Sequence, residues 1–266
     1  MKLPEVPQPK NILLMGSSGT GKTAMCGTLA RFLPTIIVTA DPAGLETLRK
    51  MDIKPQTEIV LIKDWKKCWD SFKQIASKAD EYAALAIDDL GSFELSIRRK
   101  VGYGAKSWQE EKMGAKERDL AIREQLMLGE RRFSQPDWGE SWTALSNFIT
   151  ECLRLPYKVK LVTVLEGTAK NPRTGEDHIY PALQKASRQE VLARFSLVGE
   201  LFIAYDKDDK PRYCLHSKPH PRIETKDRFV QGGRTWVNPN MERVLLHISH
   251  EGAAMTKEEE KIGTGL

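Results

Sequence analysis

The sequence lacks any long apolar run. Among its 266 residues the apolar runs, such as residues 12–15, 161–165 and 201–205, are far short of the roughly 20 residues that a membrane-spanning helix needs. The opening residues, MKLPEVP, contain no apolar core of the kind found in secretory leaders. We therefore expect neither a signal peptide nor a membrane partner.

Cysteine is scarce and widely spaced. The four cysteines are Cys26, Cys68, Cys152 and Cys214, and no two of them form a C-x-x-C pair. This spacing argues against a disulfide framework and against a zinc site. The histidines likewise show no spacing typical of metal ligands. We expect reduced thiols in a cytoplasmic protein.

A strong charge of one sign is also missing. Lysine and arginine number 41 against 36 acidic residues, giving a net charge of +5, and 40% of the residues are hydrophobic. This balance excludes wholesale disorder. The positive excess is nevertheless concentrated. Residues 98–132 hold ten basic and six acidic residues, a net +4, and residues 167–194 hold five and three, a net +2.

Short apolar runs alternate with segments of helical periodicity. The predicted helices are residues 22–32 and 65–79, with a third that begins near Trp138. The predicted strands are residues 11–15, 35–40, 58–63, 83–87, 161–165, 198–205 and 212–216. Such alternation predicts an α/β fold with a mostly parallel, doubly wound sheet. We expect one domain over residues 1–254, with a helical insertion at 97–136 and a frayed tail at 255–266.

A phosphate-binding motif follows the first predicted strand. The residues match G-x-x-x-x-G-K-[ST], and they are Gly16, Ser17, Ser18, Gly19, Thr20, Gly21, Lys22 and Thr23. Glycines let the backbone curl around phosphate oxygens, and the start of the next helix adds its positive dipole. The lysine would neutralise phosphate charge, and the threonine hydroxyl would bind Mg²⁺. The motif predicts a nucleotide-binding protein.

Two aspartates end the apolar strand at residues 83–87. Asp88 would lie at the carboxyl edge of the sheet beside the phosphate loop, where it would hold Mg²⁺ together with Thr23. Asp89 is either the base that activates water or a turn residue that faces solvent. Both interpretations fit an acidic pair at the end of a strand.

Two further carboxylates are candidates for orienting the attacking water. Asp41 ends the second predicted strand, and Glu46 follows one helical turn later. A positioned carboxylate is what nucleotide hydrolysis requires. The alternative for Asp41 is a structural role, either capping a helix or forming a turn before Pro42.

Beyond these residues, the chain resembles the RecA-like ATPases over residues 8–248. More narrowly, it is similar to compact phage proteins related to RadA and to the phage single-strand annealing ATPases. The resemblance is carried by TKDRF at 225–229, IYPAL at 179–183 with FSLVGELFI at 195–203, and VNPNMERVL at 237–245. It implies a RecA-like core that binds ATP with Mg²⁺, in the cytoplasm of a bacterial host if the protein is encoded by a phage.

The resemblance also implies a role for Lys226 and Arg228. In the family, the corresponding cations act across a subunit interface on the γ-phosphate of a neighbour's ATP. Carried over, this role would make the protein active only as a homo-oligomer, a filament or a ring. The alternative is a pair of solvated basic residues.

Two positions depart from the family pattern. No glutamate immediately follows Asp41, and Glu166 stands where relatives often carry a neutral polar residue that senses the γ-phosphate. A carboxylate near the γ-phosphate would repel it. Both departures predict slow hydrolysis or a base drawn from elsewhere.

Single-stranded DNA is the partner that the resemblance implies. The basic segments at 97–136 and 167–194 correspond to DNA-facing loops of the family, and Tyr103, Trp108 and Tyr180 could stack bases. A solvated helical excursion would explain the first segment equally well. The main expectation is an ATPase that acts on single-stranded DNA in phage recombination or annealing. The alternatives are a small-molecule kinase and an ATP-dependent assembly switch with weak hydrolysis.

Overall fold

A computed structural model describes residues 9–62, 68–104, 135–171, 175–183, 185–229 and 232–249. The strands are β1 (Lys10–Gly16), β2 (Thr35–Thr39), β3 (Glu58–Leu61), β4 (Ala84–Asp88), β5 (Val159–Lys170), β6 (Asp177–Pro181), β7 (Leu197–Tyr205), β8 (Pro211–His216), β9 (Lys226–Asp227) and β10 (Thr235–Val237). The helices are α1 (Lys22–Phe32), α2 (Pro42–Arg49), α3 (Cys68–Ser77), α4 (Leu90–Gly104), α5 (Gln135–Arg154), α6 (Lys185–Ala193) and α7 (Met241–Ile248).

The described strands form one sheet with a parallel centre. Its order is β10-β8-β7-β1-β5-β4-β2-β3, with β6 paired to β5 and β9 paired to β7. All neighbours from β7 to β3 are parallel, whereas β6, β8, β9 and β10 pair antiparallel. The expected α/β class, with a mostly parallel sheet between helices, is confirmed.

Helices cover both faces of the central strands. Successive side chains of a strand point to opposite faces, and β1 is buried on both. Leu13 packs in a cluster with Phe93 of α4 and Phe148 of α5, whose rings stack with centroids 5.3 Å apart. Leu14 packs on the other face with Leu29 of α1. The sandwich fixes β1, and therefore the loop that follows it.

Several boundaries differ from the sequence prediction. Strand β5 continues to Lys170, well past residue 165, because its outer half pairs with β6 in a hairpin. Helix α2 was predicted only as the alternative role of Asp41, the capping of a helix before Pro42. It begins at Pro42, behind Asp41 as its cap, so proline starts this helix, where its missing N–H costs nothing. Helix α4 carries the chain from residue 90 to 104, into the expected insertion.

Some predictions fall on residues that are not described. These are the middle of the expected insertion at 105–134, which includes Trp108, and the expected tail at 255–266. Within the described part of the chain, no helix is both long and apolar enough to cross a membrane.

The parallel strands set the position of the site. Gly16 at the end of β1 lies level with Leu165 on β5 and Leu201 on β7. Asp88 ends β4, which is the next strand beyond β5. The sheet therefore brings the phosphate loop and the acidic pair to one edge.

Candidate nucleotide-binding site

The phosphate loop joins β1 to α1 and depends on its glycines. A Cβ on Gly16 would lie 2.4 Å from the Leu201 carbonyl oxygen and 2.5 Å from Thr20 Oγ1, so only glycine fits. Gly19 and Gly21 have φ angles of +82° and +96°, a region that other residues enter at a cost. The loop is thus a tight turn that leads directly into the first turn of α1.

Lys22 folds across the loop. Its Nζ donates to the carbonyl oxygens of Gly16 and Ser17, each at 2.8 Å. Burial lowers the pKa of the ammonium, whereas the nearby carboxylates of Asp89, Asp88 and Glu166 oppose that shift. The cation is therefore held at the mouth of the loop, where it can exchange carbonyl oxygens for phosphate oxygens.

Thr23 and Asp88 are in direct contact. Thr23 Oγ1 donates to Asp88 Oδ2 at 2.8 Å, and Thr163 Oγ1 on β5 donates to Oδ1 at 2.7 Å. Asp88 is only 2% exposed. Burial raises its pKa, and the two threonine hydrogen bonds counter that effect. A Cβ on Gly44 would lie 3.3 Å from Asp88 Oδ2, so α2 packs closely over the carboxylate.

This pair of oxygens suits Mg²⁺. A hydroxyl and a carboxylate are hard donors, and Mg²⁺ usually keeps water and phosphate ligands beside one or two protein oxygens. Among the described residues, no group of three or more histidines, cysteines or acids could form a self-contained metal site. The residues present therefore fit a magnesium ion shared with a nucleotide.

Asp89 and Asp41 both line the cavity beside the loop. Asp89 Oδ1 accepts a hydrogen bond from the Gly91 amide at 2.8 Å, and burial raises the pKa of this carboxyl. Asp41 Oδ1 accepts from the Ala43 amide at 2.9 Å as the cap of α2. Each aspartate thus has a local structural contact and a position at the site.

Glu46 lies outside this arrangement. Its side chain is 66% exposed and sits 3.9 Å from Arg49 in a surface ion pair. The cavity is lined by its neighbour Thr47 instead. A helix turns about 100° per residue, so Glu46 and Thr47 point in different directions. The structure does not bring Glu46 to the cavity.

Two glutamates, Glu166 and Glu200, lie near the phosphate loop. Ser17 Oγ donates to Glu166. The carboxylate that replaces the neutral residue expected from the resemblance therefore contacts the phosphate loop itself. Glu200 on β7 is 4% exposed, and burial, with Glu166 adding repulsion, raises its pKa to about 7. Glu200 was not predicted as a residue near the site. The signal that could have indicated it is a single acidic residue within an apolar strand.

The cavity extends well beyond the loop. Its volume is about 640 Å³, within the range of sites that hold small molecules. Its lining includes the phosphate loop and the two aspartates. Met25 and Thr28 of α1 line it as well, together with Tyr213, Asn238 and Pro239.

The sequence profile of the AAA domain family matches residues 8–229. The chain belongs to this family. It is a P-loop ATPase. A search of curated proteins found no match. Among solved structures, the flagellar accessory protein FlaH from Methanocaldococcus jannaschii is similar, with 11% identity, 86% of each chain covered and a TM-score of 0.43.

Lys226 and Arg228 of this AAA domain lie at the opposite edge of the sheet. Strand β9 pairs with Leu197 and Val198 at the start of β7, whereas the phosphate loop is level with Leu201. Neither cation therefore reaches the nucleotide site of its own chain from this edge.

The two cations also differ from each other. Lys226 Nζ donates to the Leu192 carbonyl oxygen at 2.5 Å, and burial together with Arg228 lowers its pKa to about 8. The Arg228 side chain is exposed, while its amide donates to the Ser196 carbonyl oxygen at 2.9 Å. Lys226 is thus anchored within its own chain and is not a solvated lysine.

Tyr180, a candidate for stacking on DNA bases, is already in contact on one face. The Arg188 guanidinium lies 3.5 Å from its ring centroid, and a Cβ on Gly167 would lie 2.7 Å from the ring. Arg188 is also 3.5 Å from Glu224. A base could stack on that face only after Arg188 had moved. The side chain of Tyr103 and all of Trp108 lie outside the described set.

Proposed function

We propose that this AAA domain binds ATP with Mg²⁺, hydrolyses it slowly, and acts as a cytoplasmic homo-oligomer on single-stranded DNA in phage recombination or annealing. The observation that carries the ATP part of the proposal is the contact between Thr23 and Asp88 beneath the phosphate loop. It joins the loop to the acidic strand at the one place where a nucleotide's terminal phosphates would lie.

The chain's own residues suggest how binding begins. The loop receives the phosphates, and Lys22 gives up its bonds to the Gly16 and Ser17 carbonyls to neutralise them. Thr23 and Asp88 would hold Mg²⁺, which supplies charge stabilisation on the phosphate oxygens. Hydrolysis requires a water oxygen to attack the γ-phosphorus while the bond from that phosphorus to the bridging oxygen breaks.

Asp89 is the best-placed group to orient that water and accept its proton. It lines the cavity, and of the three carboxylates around Lys22 it acts most strongly on that lysine. Burial raises its pKa, which makes the carboxylate a better proton acceptor. Asp41 is the second choice, since it lines the cavity but is not among the carboxylates that act on Lys22.

Glu166 supports slow hydrolysis. Its hydrogen bond with Ser17 places a carboxylate against the phosphate loop, where a negative charge repels the terminal phosphate. We expect Glu166→Gln to raise the ATP turnover rate severalfold, because glutamine keeps a hydrogen-bond acceptor and removes the charge. A rate that falls in this variant would instead make Glu166 part of the catalytic machinery.

The positions of Lys226 and Arg228 support an oligomer. They lie at the edge of the sheet away from their own phosphate loop. If they act on ATP, it is therefore the ATP bound to a neighbouring copy. A head-to-tail assembly places one edge of a subunit against the other edge of the next. The positive excess of residues 98–132 and 167–194 supports a polyanionic partner.

ATP turnover with and without single-stranded DNA tests the proposal. We expect DNA to stimulate the wild-type protein and Lys22→Ala to abolish turnover. Arg228→Ala should lose the stimulation but bind ATP normally. Arg49→Ala, which removes an equally charged surface group in a long ion pair, serves as the matched control. A turnover rate that changes neither with DNA nor in Arg228→Ala would contradict the proposed oligomer and the proposed DNA partner, and would favour a kinase.

One observation favours a second candidate, an ATP-dependent assembly switch. The Ser17 and Glu166 contact bridges the phosphate loop and β5, so nucleotide binding at the loop would act on β5 where its pairing with β6 begins. Tight ATP binding that drives assembly without measurable turnover would support the switch over the ATPase cycle.

A further inference from the structure

The cavity, about 640 Å³ in volume, is larger than a triphosphate needs. Its lining continues past the loop to Met25 and Thr28, which lie within the first two turns of α1. The lining also includes Tyr213 of β8 and Asn238 and Pro239, which follow β10. These elements lie far from the phosphate motif in the sequence.

Tyr213 is an unusual residue for its strand. The next three residues of β8 are buried, whereas Tyr213 is 44% exposed and lines the cavity. A Cβ placed on Gly21 would meet the tyrosine ring at 3.8 Å. The ring therefore begins at the edge of the phosphate loop, within reach of whatever is attached to a bound phosphate chain.

The wall that Tyr213, Asn238 and Pro239 form is held rigidly. The Asn238 amide donates to the Tyr213 carbonyl oxygen at 2.7 Å, which ties the two segments together. Asn238 has a left-handed φ of +48°, and the proline after it has a fixed φ. Met241 then donates its amide to Thr28 Oγ1 at 3.1 Å, so the segment is fastened to α1. A preformed wall of this kind loses little entropy when a ligand binds.

We propose that Tyr213, Asn238 and Pro239 form the nucleobase subsite, with the purine ring of the nucleotide stacked on Tyr213. The tyrosine ring, the proline ring and Met25 offer apolar contact to a flat aromatic ligand. The inference rests on the proposed binding of ATP in this cavity and adds the residues that hold its base. Neither the phosphate motif nor the acidic strand indicates them.

The test compares a ligand that has a base with one that has none. Titration calorimetry with ATP and with inorganic tripolyphosphate, both with Mg²⁺, is run on wild type, Tyr213→Ala and Tyr213→Phe. We expect Tyr213→Ala to weaken ATP roughly tenfold, the size typical for loss of one stacked base, and to leave tripolyphosphate within twofold. Tyr213→Phe should bind ATP like wild type.

Tyr205→Ala is the matched control, since Tyr205 is 68% exposed and lies on the neighbouring strand β7. It should change neither affinity. Unchanged ATP affinity in Tyr213→Ala, or equal losses for both ligands, would overturn the subsite. Retained tripolyphosphate binding by Tyr213→Ala shows that its loss of ATP affinity is not a folding defect.

The subsite and the proposed function fail in different ways. If Lys22→Ala loses ATP while Tyr213→Ala binds it normally, only the subsite is wrong. If wild type binds neither ATP nor tripolyphosphate, both proposals are wrong.

Discussion

The two edges of the central sheet are built differently. At the carboxyl edge, polar groups are held by several elements at once: Asp88 accepts hydrogen bonds from α1 and from β5, and Asp41 caps α2 beside the cavity. At the amino edge, Lys226 bonds a backbone carbonyl of its own chain and Arg228 is exposed. The first edge is a preorganised cavity, whereas at the second edge one cation is anchored to its own chain and the other is exposed to solvent.

The largest expected effect is at the carboxyl edge. Lys22→Ala should weaken ATP binding on the order of 100-fold, the scale for losing one partner of a buried charge pair, because no other cation among the described residues lines the cavity. Titration calorimetry with ATP measures it. Lys50→Ala, an exposed lysine at the end of α2, is the control, and an equal loss there would show that the effect is not specific to the site.

Gly16→Ala tests how tightly the loop is built. Its Cβ would overlap the Leu201 carbonyl oxygen at 2.4 Å, so we expect the free energy of unfolding to fall by about 1–3 kcal/mol. Gly139→Ala is the matched control, since nothing lies within 4 Å of the added Cβ in helix α5. It should raise the free energy of unfolding by about 0.5–1 kcal/mol. Chemical denaturation of both variants measures the contrast, and equal effects would contradict it.

Glu200 should make the stability depend on pH. Burial raises its folded-state pKa from 4.5 to about 7, so the folded chain binds more protons than the unfolded chain in that window. Stability from this group is therefore complete below pH about 4.5 and is lost as the pH rises through about 7. The loss is up to about 3 kcal/mol.

Urea denaturation from pH 5 to 8 of wild type and Glu200→Gln isolates this contribution. Glutamine cannot ionise, so the free energy of unfolding of the variant should increase relative to that of wild type as the pH rises. The difference between the two proteins cancels the titration of groups they share, such as His216, whose pKa burial lowers to about 4. A difference that stays constant with pH would show that Glu200 has no raised pKa.

The smallest effect is expected at the amino edge. Lys226→Met should leave the ATP affinity unchanged and shift the free energy of unfolding by less than about 1 kcal/mol, because the desolvated ammonium offsets its own hydrogen bond. Calorimetry and denaturation on the isolated protein measure both. A weakened ATP affinity in dilute, monomeric protein would show that the two edges are coupled within one chain.

The sequence predicted the site best where the contributing residues are consecutive in the chain. The phosphate motif, the strand before it and the helix after it are consecutive, so spacing alone placed Lys22 and Thr23. Asp88 was also placed correctly beside them, because parallel strands end at a common edge. Helix α2 was predicted only as an alternative, since its eight residues contain a proline and a glycine.

Pairing between distant segments could not be predicted from local patterns. From the sequence, Glu46 and Asp41 were equal candidates for orienting the attacking water. In the structure Asp41 lines the cavity, whereas the Glu46 side chain is exposed on the surface of α2. Thr163 and Glu200 lie within apolar strands, and their contacts depend on which strands are neighbours. The exposed Tyr213 acquires its position from the hairpin of β7 and β8.

The sequence by itself predicted the phosphate-binding loop, since eight consecutive residues carry the turn, the cation and the hydroxyl. It also determined the α/β class, through the alternation of apolar strands and helices. The tertiary structure alone decided which carboxylates face the cavity, what lies opposite the phosphate loop, and where Lys226 and Arg228 stand. The reason is physical: a loop closes through local backbone geometry, whereas a cavity exists only once strands from distant parts of the chain are paired.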